Sequence, residues 1–143
     1  MKNSALIAVM AFTLTACSQG VEQMSDRTAS PCGDKPNCVS TIDNREKHSI
    51  APYTLKADTT IDDIESIALT LAGAKAAEKE GNYLRIECTS KIMRFVDDLE
   101  LKIEGNNLVV RSESRTGYSD FGVNRKRADE LRSKLKDADL LAL

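Results

Sequence analysis

Arg94-Phe95-Val96-Asp97-Asp98-Leu99-Glu100-Leu101-Lys102-Ile103-Glu104-Gly105-Asn106-Asn107-Leu108-Val109-Val110-Arg111-Ser112-Glu113-Ser114 is the stretch that decides the fold. Gly105-Asn106 suits a two-residue turn because both residues tolerate positive φ, so 94–104 and 107–114 become the arms of a β-hairpin. That turn opposes Ile103 to Leu108, Leu101 to Val110 and Leu99 to Ser112 on one face. On the other it opposes Lys102 to Val109, Glu100 to Arg111 and Asp98 to Glu113. A slip of one residue would mix the faces, so the register is strongly specified. Asp98 facing Glu113 is repulsive, and the diagonal neighbours Arg111 and Arg115 are placed to relieve it. Asp97 shares the side of Leu99, Leu101 and Ile103. It is therefore expected near the core, where a carboxylate needs arginine or backbone partners, and Ser114 opposite it could donate one hydrogen bond.

Outward from this hairpin the chain alternates strand and helix signals. Ala74–Glu80 and Tyr83–Ser90 flank Gly81-Asn82 as a second hairpin of open register, with Leu84, Ile86 and Cys88 on its buried face. Upstream, Ile61, Ile64, Ile67, Ala68 and Leu71 form a helical stripe, Thr60 with Asp63 matches a capping box, and Gly73 is a natural stop. Ile50–Leu55 is a short edge strand limited by Pro52, and Cys32–Pro52 otherwise has a loop's composition. A last helix opens near Ser119 or Asp120, runs to about Lys136, and has Val123, Ala128, Leu131 and Leu135 as its apolar side. The expected fold is α+β: a small antiparallel sheet of two hairpins plus the edge strand, covered by two helices on one face. Its few large core pieces are Tyr53, Tyr83, Phe95, Tyr118 and Phe121.

The N-terminus has the build of a secretory signal: Lys2, an apolar run from Ala5 to Leu14 too short to span a bilayer, and small residues before a cut. Leu14-Thr15-Ala16-Cys17 resembles the bacterial lipobox, which would make Cys17 the acylated first mature residue. An ordinary cleaved signal that leaves Cys17 as a thiol is the alternative. Ser18, where an aspartate would otherwise redirect sorting, resembles the outer-membrane signal. Several acyl chains at about 0.8 kcal/mol per buried methylene anchor stably where one would not. The expected organisation is a signal over 1–16, lipidated Cys17 with a flexible tether to residue 30, and one α+β domain over 31–143. The expected location is the cell envelope, at the outer membrane and facing the periplasm.

Export also frames the other cysteines. In an oxidising compartment Cys32 and Cys38 read as a disulfide, because Gly33-Asp34-Lys35-Pro36-Asn37 is turn chemistry that lets the thiols meet. A two-cysteine metal site is the rival, and it lacks further ligands: His48 is the only histidine and reads as a surface residue. No metal or cofactor motif stands out. Cys88 reads as a small buried hydrophobe. A formal net charge of −2 argues against general nucleic-acid binding, which needs a basic surface to displace counterions.

The densest polar cluster joins Asp97 and Asp98 to Arg111-Ser-Glu-Ser-Arg115-Thr-Gly-Tyr118-Ser-Asp120-Phe-Gly-Val-Asn124-Arg125. Three readings stay open. The carboxylates and arginines lock the sheet to the last helix. Alternatively, Asp97, Asp98, Arg111, Arg115, Tyr118, Asp120, Asn124 and Arg125 build a polar pocket in which a guanidinium fork and a helix N-terminus hold a small anionic ligand. A catalytic site is the third, but Asp97 and Asp98 point to opposite faces and cannot form a dyad, and Ser114 or Ser119 would need a base.

These segments carry a resemblance. Cys32-Gly-Asp-Lys-Pro-Asn-Cys38-Val-Ser, Phe95-Val-Asp-Asp-Leu-Glu100 and Arg111 through Arg127 are similar to the bacterial domain-of-unknown-function 1499 family, from about Pro31 to Leu135. Gly33 stands where the family often has proline, and Cys88 lies outside the pattern. The resemblance implies a site in these motifs and no particular activity. Together the readings predict a lipid-anchored, periplasm-facing module that binds a small anionic ligand or an envelope protein, or supports the envelope. A hydrolase or isomerase using the Asp/Arg/Ser/Tyr cluster is the alternative.

Overall fold

The computed structural model describes residues 25–142. The expected signal segment, Cys17 and most of the expected tether lie outside them. Strands β1 (Cys38–Ser40), β2 (Tyr53–Thr54), β3 (Ala74–Glu80), β4 (Tyr83–Thr89), β5 (Val96–Glu104) and β6 (Asn107–Ser114) accompany helices α1 (Ile61–Ala68) and α2 (Val123–Asp137). All strands join one antiparallel sheet in the order β1-β6-β5-β4-β3, with β2 also pairing along β6.

The β5–β6 hairpin has the register its alternation dictates, including Ile103↔Leu108, Leu101↔Val110, Glu100↔Arg111 and Asp98↔Glu113. The β3–β4 hairpin is present as well. Its register shifts by a bulge between Ala76 and Glu78, which is why the weak alternation of Ala-Lys-Ala-Ala-Glu-Lys could not fix it. Leu84, Ile86, Cys88, Leu99, Leu101 and Val110 project from one face and pack with Ile64, Ala68, Leu131 and Leu135 of the helices. Fully burying each aliphatic side chain contributes about 1.5 to 3 kcal/mol, so this layer dominates the folding drive.

Several local expectations are corrected. Residues 38–40 are a strand, because three residues of the disulfide loop complete the ladder of β6. Helix α1 ends at Ala68, and Leu71 is buried beyond it. Gly73 is not the helix stop. It has φ +69°, and a Cβ there would overlap the Thr89 carbonyl oxygen across the β3–β4 pair. Thr60 and Asp63 do form the capping box.

Of the aromatic residues, Tyr53 and Tyr83 are buried, whereas Phe95, Tyr118 and Phe121 are exposed together with Val123. These four fall in or beside the connections at one end of the sheet, outside the two packed layers. His48 is buried rather than on the surface, its Nδ1 lying 2.9 Å from the Cys38 carbonyl oxygen. No helix among the described residues is long and apolar enough to cross a membrane.

The disulfide joins Cys32 to Cys38, with Cα atoms 5.7 Å apart. Buried Asp43 accepts from the Cys32 amide and from Arg45, whose hydrogen bond holds this carboxyl well below the usual range. The domain also begins earlier than Pro31. Asp26 accepts from Lys102 at 2.8 Å, and Arg27 reaches Glu100 and Glu113 at 3.1 and 2.9 Å. Residues 26–30 are thus docked on the sheet face opposite the helices, and Arg111 fastens them further by donating to the Ser30 carbonyl.

Candidate functional site

The polar cluster divides between the two faces of the sheet. On the face away from the helices, Asp98 is buried and receives a two-pronged fork from Arg115, Nε to Oδ2 at 2.8 Å and Nη2 to Oδ1 at 2.7 Å. Arg85 donates to it at 3.3 Å, and Arg27 lies 3.6 Å away. Burial works against the Asp98 charge, but the Arg115 hydrogen bonds and charge outweigh it, and the carboxyl stays below its ordinary range. Arg111 donates to Glu113 at 2.9 Å, so the Asp98–Glu113 repulsion is relieved by arginines on both sides.

Glu100 is the strained member of this layer. Burial raises its pKa despite Arg27 and Arg111. Its Oε2 and the Arg111 Nε face each other at 4.0 Å, both buried without a hydrogen-bond partner. Asp98, Arg111 and Arg115 are therefore spent on one another and on Arg27, Arg85, Glu100 and Glu113. This layer holds the N-terminal segment to the sheet.

On the helix face, Asp97 is met by Arg127 at 2.6 Å. Ser114 lies opposite Asp97 as expected, but its Oγ accepts from Asn124 Nδ2 at 2.9 Å. Asn124, at the start of α2, is the hub of this side. Its Oδ1 accepts from Ser112 and Arg127, and its Nδ2 also donates to the Asn37 carbonyl of the disulfide loop and to Asp120. Asp120 in turn accepts from the Gly122 and Asn124 amides, capping α2 although Gly122 occupies the cap position. Arg125 donates to the Ser49 and Lys47 carbonyls and so ties α2 to the loop after β1.

Above this network the two connections at the same end of the sheet stand apart. The β4–β5 connection, residues 90–95, closes on itself through Ser90 N–H to the Phe95 carbonyl and Phe95 N–H to Ser90 Oγ. The β6–α2 connection, residues 115–122, turns on Gly117 and Gly122 and holds Phe121 at φ +53°. A bulky residue in the left-handed region is uncommon and strained. Between them lies an open cleft of about 650 Å³, with Asp97, Ser114 and Asp120 at its base. Its rim carries Ile92 and Phe121, each 90 % exposed, with Met93 and Phe95 also exposed. Tyr118 projects into solvent beside it.

The structure thus brings Asp97, Asp120 and Asn124 to one place. It sends Asp98, Arg111 and Arg115 to the opposite face and Arg125 to the far side of the α2 start. Sequence reading missed Arg27, Arg85 and Arg127 as partners, and missed the apolar rim. A signal for the rim was present: Ile92 and Met93 fall between two strands, between the cations Lys91 and Arg94.

Chemically, the cleft offers a hydroxyl-rich base whose carboxylates are already matched, and apolar walls. The seryl groups lack a base partner among the described residues, since His48 is turned to the Cys38 carbonyl. No cluster of three or more histidine, cysteine, aspartate or glutamate side chains among the described residues is arranged for a metal ion. A second concavity, about 490 Å³ near Asp26, Tyr83 and Lys102, includes the Asp26–Lys102 pair that docks the N-terminal segment.

A family model described as "Protein of unknown function (DUF1499)" matches residues 28–135. Its start coincides with the docked segment that precedes Pro31. No curated protein and no solved structure matches the chain.

Proposed function

We propose that this chain, which belongs to the DUF1499 family of proteins of unknown function, is a lipid-anchored cell-envelope module that binds an amphiphilic small molecule in the cleft between residues 90–95 and 115–122. The observation that carries this reading is the exposed apolar rim of Ile92, Met93, Phe95 and Phe121 around a base of Asp97, Ser114 and Asp120. Exposed apolar groups gathered at a concavity are the signature of a surface that is covered in use. The volume lies within the usual span for ligand sites. Strain at Phe121 supports it further, because the chain holds an aromatic ring outward in a conformation that a polar or glycine residue would adopt at lower cost.

The arginines of the sequence cluster favour a ligand with an apolar body over a small free anion, since each is engaged with a carboxylate or a carbonyl. The anchor rests on the lipobox-like Leu14-Thr15-Ala16-Cys17, and Ser18 supports the outer membrane, facing the periplasm. Native mass spectrometry of the membrane-extracted protein tests the binding reading. Wild type should carry a small-molecule mass that Met93→Asp and Phe121→Asp lose while remaining folded. A wild-type mass identical to the variants', once the substitutions are allowed for, would overturn it.

A further inference from the structure

The end of the sheet that holds the cleft presents unmatched cations on a chain whose net charge is −2. Arg115 is paired with Asp98 and Glu87, Arg127 with Asp97, and Arg125 donates to backbone carbonyls, which leaves Lys91, Arg94 and the exposed Lys126 as the cations free to meet a partner there. Lys91 and Arg94 make no ion pair with any described residue, and they bracket Ile92 and Met93 at the tip of the β4–β5 connection. Phe121 and Tyr118 stand exposed across the cleft. Large apolar side chains bracketed by the unpaired cations Lys91 and Arg94 suit an interface where the apolar groups enter the acyl boundary and the cations meet phosphate headgroups.

We infer that this tip docks on a bilayer surface carrying anionic phospholipid. The contact is separate from the anchor. Asp26 is held by Lys102 near the Gly105-Asn106 turn, so the N-terminal segment leaves the sheet at the end remote from the tip. The nine residues of β5 put roughly 30 Å between the two ends. The chain therefore touches lipid at two places, one covalent and one electrostatic with shallow insertion. The docking does not require the cleft to hold a ligand, because Lys91, Ile92, Met93 and Arg94 lie on its outer lip.

Flotation of the full chain carrying Cys17→Ser, and so without acyl groups, tests this with vesicles of equimolar phosphatidylglycerol and phosphatidylcholine against pure phosphatidylcholine. The protein should float with the anionic vesicles only, and less as salt is raised, because the headgroup attraction is screened. Lys91→Gln with Arg94→Gln should weaken partitioning about thirtyfold, the worth of two cations at an anionic surface. Ile92→Ser with Met93→Ser should abolish it with little change in thermal stability, since both side chains are largely exposed and lie outside the packed layers. No flotation, equal flotation with neutral vesicles, or flotation indifferent to both double variants would overturn the proposal. A protein that floats normally yet carries no bound mass would instead remove the ligand reading and leave the docking intact.

Discussion

Asp98 holds two arginines by hydrogen bonds on a sheet face that no helix covers, and its environment makes a signed prediction. Replacing it by asparagine removes the buried carboxylate shared by Arg85 and Arg115, which keep only their longer or more exposed partners Glu78 and Glu87, and costs about 2 kcal/mol at neutral pH. The folded carboxyl is depressed, so the stability it supplies is fully present above the ordinary aspartate value near 4 and is lost as pH falls through the lower folded value. The gap between wild type and Asp98→Asn, read by urea denaturation, should therefore be largest near pH 7 and close in strong acid. Glu100 has the opposite sign. Its raised folded pKa supplies stability below the ordinary glutamate range that is lost as pH rises through the raised value.

Gly73 offers a test with no charge involved. Its positive φ and the Thr89 carbonyl behind it leave no room for a methyl group, so Gly73→Ala should destabilise by more than about 1 kcal/mol. None of the other glycines at positive φ meets backbone that closely. Substitution there carries the dihedral strain without the overlap.

Among the elements, the disulfide loop, the docked N-terminal segment and the β3–β4 hairpin are those that local patterning could not fully deliver. The β5–β6 register was legible because nearly every residue of both arms contributes to one alternation, and a two-residue turn leaves no slack. The β3–β4 register was not, because alanine and lysine populate both faces of β3 and a bulge intervenes. Strand β1 hides in turn-rich sequence, since three residues cannot show a period. Arg27 is a single residue in a polar stretch, and only the carboxylates on two distant strands make it part of the fold. Phe95, Tyr118 and Phe121 misled for a related reason: hydrophobicity alone does not say whether an aromatic side chain is packed or presented.

Arg27→Ala should speed protease cleavage near residues 25–30, because three carboxylates lose their shared partner, and unchanged proteolysis would show that Asp26 and Ser30 suffice. Reducing Cys32–Cys38 removes a short-loop constraint from the unfolded chain, worth about 2 kcal/mol, and guanidinium midpoints with and without dithiothreitol read that loss directly.

The whole molecule has two distinct ends. One carries the docked segment that leads back toward Cys17, and the other carries the cleft with its apolar lip and the unpaired Lys91 and Arg94. The candidate site of the sequence was half legible. Asp97, Asp120 and Asn124 do gather beneath the cleft, but the side chains on which the proposed binding rests are the apolar ones between the polar motifs. If Cys17 bears the acyl groups, Cys17→Ser should move the protein from the membrane to the soluble fraction under high salt, where the second contact is screened.

Photo-crosslinking in living cells tests whether the cleft end is the binding surface. A photoreactive phenylalanine analogue at Phe121 or Met93 should capture an adduct of lipid or small-molecule mass. The same probe at Lys136, exposed in the last turn of α2 at the end of the helix remote from the cleft, should capture none. Equal capture at all three positions, or none at Phe121 and Met93, would contradict the account.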